Sequence, residues 1–91
     1  SGVQLESFPN PFNPTTTIRF GLPSASRVSL RVYDIRGALV AVLAARPYES
    51  GIHGVAWNGT NARGEPVASG IYFARLETDA SVFMRKIILI R

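Results

Sequence analysis

The sequence predicts an all-β chain, an antiparallel β-sandwich of about seven short strands. Three observations lead there. Apolar residues alternate with polar ones in several runs of seven or eight, the period of a half-buried strand. Gly- and Pro-containing turns separate these runs every 10–14 residues. No segment carries the 3.6-residue apolar period of a crossover helix, so the short connections force antiparallel pairing.

The elements follow in chain order. Residues 1–15 read as a lead-in, because Phe8-Pro9-Asn10-Pro11-Phe12-Asn13-Pro14 holds three prolines, each fixing its own φ and holding its predecessor extended. Ser1-Gly2 reads as a cloning remnant, and the chain as a piece of a longer protein. The sandwich is expected over residues 16–91. Thr16 to Leu22 puts Ile18, Phe20 and Leu22 on one face, and Pro23-Ser24-Ala25-Ser26 turns the chain. Arg27 to Asp34 is the cleanest alternation, with Val28, Leu30 and Val32 inward and Arg27, Ser29, Arg31 and Tyr33 outward. Asp34-Ile35-Arg36-Gly37 is a turn in which Gly37 supplies positive φ. Leu39 to Ala45 is alanine-rich, but seven residues between Gly37 and Pro47 are too few for a stable isolated helix, so a strand is expected.

Pro47 to Gly51 reads as the next turn. In Ile52 to Trp57, His53, Val55 and Trp57 share a face. Asn58 to Ser69 is a long loop opened by Asn58-Gly59, with Val67 as a possible very short strand. Ile71 to Thr78 turns Tyr72, Ala74 and Leu76 inward, Asp79-Ala80-Ser81 is a tight hairpin, and Val82 to Ile90 is the last strand. Seven short strands in this length read as an Ig-like sandwich. Trp57 is its expected large core residue, with an indole N–H that needs an acceptor.

Composition narrows the function. The chain has no cysteine, which removes disulfides, thiolate metal sites and cysteine nucleophiles. It has one histidine, His53, and acids scattered at Glu6, Asp34, Glu49, Glu65, Glu77 and Asp79. Paired-carboxylate chemistry needs two acids held in a cleft, and no nucleotide, serine-hydrolase or zinc-protease motif is present. The expectation is a non-enzyme without cofactor. The Asn58–Glu65 loop lacks the carboxylates of a calcium loop and reads as held by Asn side chains bonding to backbone. The net charge of +4 comes from dispersed arginines rather than a stripe interleaved with aromatics, so no nucleic acid is expected as partner. Ile87-Ile88-Leu89-Ile90 is the longest apolar run, far short of the ~20 residues of a membrane helix, so direct membrane insertion is not expected.

The last strand stands out. Both of its faces turn apolar after Lys86, and the chain ends at Arg91. One reading is a central strand covered on both sides. The other is a strand whose second face or free edge is offered to a partner.

A family likeness rests on Asn10-Pro11-Phe12-Asn13-Pro14-Thr15-Thr16 followed by Ile18-Arg19-Phe20, on Val32-Tyr33-Asp34 with Gly37, on Gly51 with Trp57-Asn58-Gly59, on Gly64 with Pro66-Val67-Ala68-Ser69-Gly70-Ile71-Tyr72, and on Lys86 to Arg91. In this order and spacing the chain resembles the type A C-terminal sorting domain of type IX secretion cargo, a family similar to the Ig-like domain of the flagellar hook-capping protein. Asn58 stands where relatives often carry Asp, which counts against a metal there. The resemblance implies a secreted, cell-surface protein of a Bacteroidota-like bacterium, with a cargo fused N-terminally. The implied partners are the type IX translocon and a surface sortase that cuts upstream and attaches the cargo to a surface glycolipid. It also implies that Lys86, Ile88, Leu89, Ile90 and Arg91 form the terminal recognition signal, with Lys86 and Arg91 read as an exposed cationic pair. The alternative is a structural Ig-like module: a spacer, an adhesion domain or a hook-cap-like assembly domain.

Overall fold

The computed structural model describes residues 4–9 and 15–91, apart from the side chain of Phe8. Seven strands form: β1 (Gln4–Phe8), β2 (Thr16–Leu22), β3 (Ser26–Asp34), β4 (Leu39–Tyr48), β5 (Gly51–Trp57), β6 (Gly70–Glu77) and β7 (Val82–Leu89). They make two antiparallel sheets, β1-β2-β5 and β4-β3-β6-β7, packed face to face. This is the Ig-like sandwich, and Leu39 to Ala45 is indeed strand rather than helix. No helix among the described residues is long and apolar enough to cross a membrane.

The period-2 pattern places the core. Ile18, Phe20 and Leu22 of β2 face Val28, Leu30 and Val32 of β3, with Tyr72, Ala74 and Leu76 of β6 and Ile87 and Leu89 of β7 completing the layer. Trp57 is 2% exposed. Its ring meets Tyr72 edge-on at 5.3 Å, and its Nε1 donates to the Thr60 carbonyl at 2.9 Å. That bond supplies the acceptor a buried indole requires.

Two segments depart from the sequence reading. The first fifteen residues are not all lead-in: Gln4–Phe8 pairs in register with β2, Leu5 opposite Phe20. Extended backbone next to prolines is also strand backbone, so the feature that marked a tether equally permits an edge strand. Thr16 fixes the junction, its buried Oγ1 donating to the Pro9 carbonyl at 2.8 Å and lying 2.6 Å from Ser7 Oγ. The Pro-rich residues 10–14 lie outside the described residues.

The other departure is β4, which runs through Pro47 to Tyr48, so the turn is shorter than expected. Proline is tolerated there because β4 is an edge strand and pairs only with β3. Tyr48 then enters the core beside Phe20 at 5.2 Å, with the Arg46 guanidinium 3.8 Å above its ring.

The β3–β4 turn is held by one carboxylate. Asp34 Oδ1 accepts from the backbone N–H of Ala38 and of Arg36, each at 2.9 Å, while Gly37 takes φ +88. Bonding to the Ala38 N–H first, then to Arg36, holds the Asp34 carboxyl below its ordinary value, against an opposing effect of burial. A folded-state value below the unfolded one means the stabilisation is present above the unfolded carboxylate range, about pH 4, and is lost as pH falls further through the lowered folded value. Acid titration followed by the amide shifts of Arg36 and Ala38 should therefore show this turn opening below about pH 4. Asp34→Asn should flatten the titration; an unchanged acid response in that variant would remove Asp34 as its source.

Candidate functional site

β7 is an edge strand, paired on one side with β6. The reading of a central strand is thus set aside, and both apolar faces have an explanation. Ile87 and Leu89 point into the core and are 0% and 1% exposed. Met84, Lys86 and Ile88 lie on the outward face, opposite Arg75, Phe73 and Ile71 of β6.

The candidate terminal residues therefore divide. Lys86 is exposed, Ile88 is half-buried on the outer face, and Ile90 lies past the end of the strand, 51% exposed. Leu89 is enclosed, so its side chain is not part of the surface of the folded domain. Arg91 is engaged rather than free. Its backbone N–H donates to Ser69 Oγ at 2.9 Å and its Nε to the Val67 carbonyl at 2.6 Å, while Nη2 donates to the Gly59 carbonyl. Both cations of the pair are exposed, as expected, but the Arg91 side chain is also a staple, its guanidinium committed to two loop carbonyls. Hydrogen bonds from a guanidinium to carbonyls are charge-assisted and stronger than neutral ones. Arg91 thus ties the end of the chain to the loop between β5 and β6.

That loop is built to receive it. Asn61 Oδ1 accepts from Arg63 N at 2.9 Å and Glu65 N at 3.1 Å, while Nδ2 donates to Glu65 Oε1 at 3.0 Å. Thr60 Oγ1 donates to Asn58 Oδ1 at 2.6 Å, and Val67 N to the Gly59 carbonyl at 3.0 Å. The Asn61 side chain bonds the backbone here, as its residue type implies, while that of Asn58 bonds the Thr60 hydroxyl. No group of three or more His, Asp or Glu side chains able to hold a metal occurs among the described residues. His53 is likewise absorbed by structure: Nε2 sits 2.8 Å from the Glu49 carbonyl and the ring packs on Phe20 and Tyr48.

Gly59 is the position sequence reasoning undervalued. It is buried with φ +73, and a Cβ built there would lie 2.7 Å from Arg91 Nη2 and 3.4 Å from Leu89 Cδ2. Asn58-Gly59 announced a turn, but nothing in the local pattern announced its contact with the end of the chain. Gly59→Ala should cost about 1–3 kcal/mol, combining left-handed strain with a displaced guanidinium. Urea unfolding measures it, and a loss below about 0.5 kcal/mol, the size of an ordinary surface change, would mean the contact is slack.

The fold and site thus define an Ig-like sandwich whose seventh strand is anchored on the loop between β5 and β6, and the comparisons narrow the class. The FlgD Ig-like domain family matches residues 10–81. The chain belongs to that family. No curated protein matches it. Among solved structures it is similar to dimeric latent PorU from Porphyromonas gingivalis (TM-score 0.75, 22% identity, 97% of this chain and 9% of that one). It is also similar to PorZ, an essential bacterial surface component of the type-IX secretion system of the same organism (0.67, 26%, 96% and 11%). A third likeness is to FLGD from P. aeruginosa (0.63, 20%, 97% and 67%). The chain thus spans about a tenth of the PorU and PorZ chains.

Proposed function

We propose that this domain is a C-terminal sorting domain, which directs a fused cargo through the type IX secretion system to the cell surface. The observation that carries the reading is the likeness to a module of PorZ at 26% identity over 96% of this chain, together with the cationic and apolar composition of the Lys86–Arg91 segment. In this reading the translocon and a surface sortase are the partners, the protein is secreted, and the domain itself performs no catalysis. Lys86, Ile88 and Ile90 offer the contact surface. Arg91 and Leu89 act from behind it, holding the strand end in place. Cationic and apolar groups together suit such a surface, since burial gives affinity and charge gives register and encounter rate.

The second reading is a structural or assembly module, favoured by the family match and by the likeness to FLGD over 67% of that chain. One experiment separates the two. The whole chain is fused to the C-terminus of a periplasmic reporter in a type IX-competent host. Sorting requires reporter on the cell surface, dependent on the translocon. A folded fusion that stays in the periplasm favours the structural module.

A further inference from the structure

The outward face of the four-stranded sheet carries an arrangement its fold does not need. Register sets Arg31 of β3 directly against Arg75 of β6, and Tyr33 against Phe73. Met84 of β7 lies on the far side of Arg75, and Lys86 on the far side of Phe73. Like charges directly opposite one another destabilise a sheet pair. The domain does little to cancel them. Glu77 reaches Arg75 at 3.7 Å in a partly exposed pair of small worth. Arg31 has no carboxylate within ion-pair distance among the described residues, and its Nε is enclosed without a hydrogen-bond acceptor. The phenol of Tyr33 takes up part of the demand: hydrogen bonding from Arg31, and then from Arg75, draws it below its ordinary value against the opposing effect of burial.

Beside this pair lies an open groove of about 450 Å³, lined by Tyr33, Asp34, Ile35, Phe73, Arg75 and Met84 among others; its one carboxylate, Asp34, is already engaged by the N–H groups of Arg36 and Ala38 and by the Arg36 guanidinium. Its apolar groups are in water, with Ile35 70% and Met84 56% exposed. The volume is in the range of ligand sites, roughly 300–1,000 Å³, and methionine adapts to varied partner shapes.

We propose that this face is a second interaction surface, which binds an extended protein segment carrying a carboxylate next to a bulky apolar side chain. The Arg31–Arg75 pair receives the carboxylate, and the groove receives the apolar group. Charge complementarity selects the occupant: two adjacent guanidiniums without full counter-charge fit a planar carboxylate. An extended segment brings same-face side chains about 7 Å apart, so one peptide spans both subsites. A phosphate polymer would supply charge but nothing apolar for Ile35 and Met84. The proposal rests on β3 and β6 and does not depend on the sorting role.

The test is an NMR titration of the 91-residue chain with short peptides in which Phe or Leu stands two residues from Glu, on the same face of an extended segment, with their Gln counterparts, and with a DNA oligonucleotide. The acidic peptide should shift the amides of Tyr33, Phe73, Arg75 and Met84, bind at least about tenfold tighter than its Gln counterpart, and weaken with salt. Arg75→Gln should lower the affinity at least about tenfold without lowering Tm, because it also relieves the cross-strand repulsion. Met84→Ser, at an exposed position, should weaken binding through the groove alone. Equal binding of Glu and Gln peptides, shifts confined to another face, tighter binding of the oligonucleotide, or folded variants that bind as wild type would each overturn it.

Discussion

Trp57→Ala is expected to destabilise the domain by about 3–5 kcal/mol, the range for truncating a large buried aromatic. The side chain is 2% exposed, and its loss removes both the edge contact on Tyr72 and the bond to the Thr60 carbonyl. A domain of this length holds only about 5–14 kcal/mol in total. Each kcal/mol is worth roughly 4–8 °C of Tm at this size, so thermal melting should shift by at least about 12 °C. Trp57→Phe keeps an aromatic ring but gives up the N–H donor and one ring's volume, and should cost less than the alanine change. A loss under about 1 kcal/mol for the alanine variant would show that the core closes without this residue.

The other large effect concerns the chain end. In the fusion experiment, deleting Ile88–Arg91 should abolish surface delivery, but the deletion also removes Leu89 from the core and Arg91 from three bonds. Unfolding alone would produce that result. Point changes separate the causes. Arg91→Glu places a carboxylate against the Val67 and Gly59 carbonyls and should cost about 2–3 kcal/mol, the scale of a lost charge-assisted bond with its acceptors left unmet. Lys86→Glu alters an exposed side chain and should change stability by no more than about 1 kcal/mol. Recognition should nonetheless fall at least about tenfold, since one like-charge contact at an interface costs several kcal/mol. If Lys86→Glu folds normally and its reporter reaches the surface at the wild-type level, the charged strand is not the signal, and the assembly-module reading takes precedence.

Much of the fold was legible because its inner face obeys one rule. β2, β3 and β6 alternate without exception, and every inward residue named from their pattern is buried: Ile18, Phe20, Leu22, Val28, Leu30, Val32, Tyr72, Ala74 and Leu76. Where proline intrudes, legibility falls. Pro9 and Pro47 mark chain punctuation as readily as edge strands, and only the pairing with β2 and β3 decides for the latter. The candidate site was readable in position but not in role. Periodicity separates Leu89 from Ile88, yet it cannot say that the guanidinium of Arg91 is spent on carbonyls of a distant loop, because such bonds have no spacing in sequence. The Arg31–Arg75 opposition escaped for the same reason: each arginine looked like an ordinary solvated residue until register placed them side by side.

The pairing of β3 with β6, Leu30 opposite Leu76, also sets an order of events. Long-range strand pairs pay loop-closure entropy before contacts repay it, and sandwiches of this kind fold in milliseconds to seconds rather than microseconds. The hairpin β3–β4 and the pair β2–β5 can form early, but the core stays open on one side until β6 and β7 arrive. During synthesis, then, one edge of β3 is unpaired until β6, in the final quarter of these 91 residues, has emerged. The domain thus passes through a window in which it is a half-built sheet with an exposed apolar edge, available to a chaperone or to aggregation. The seventh strand, pairing with β6, is the one that ends that exposure.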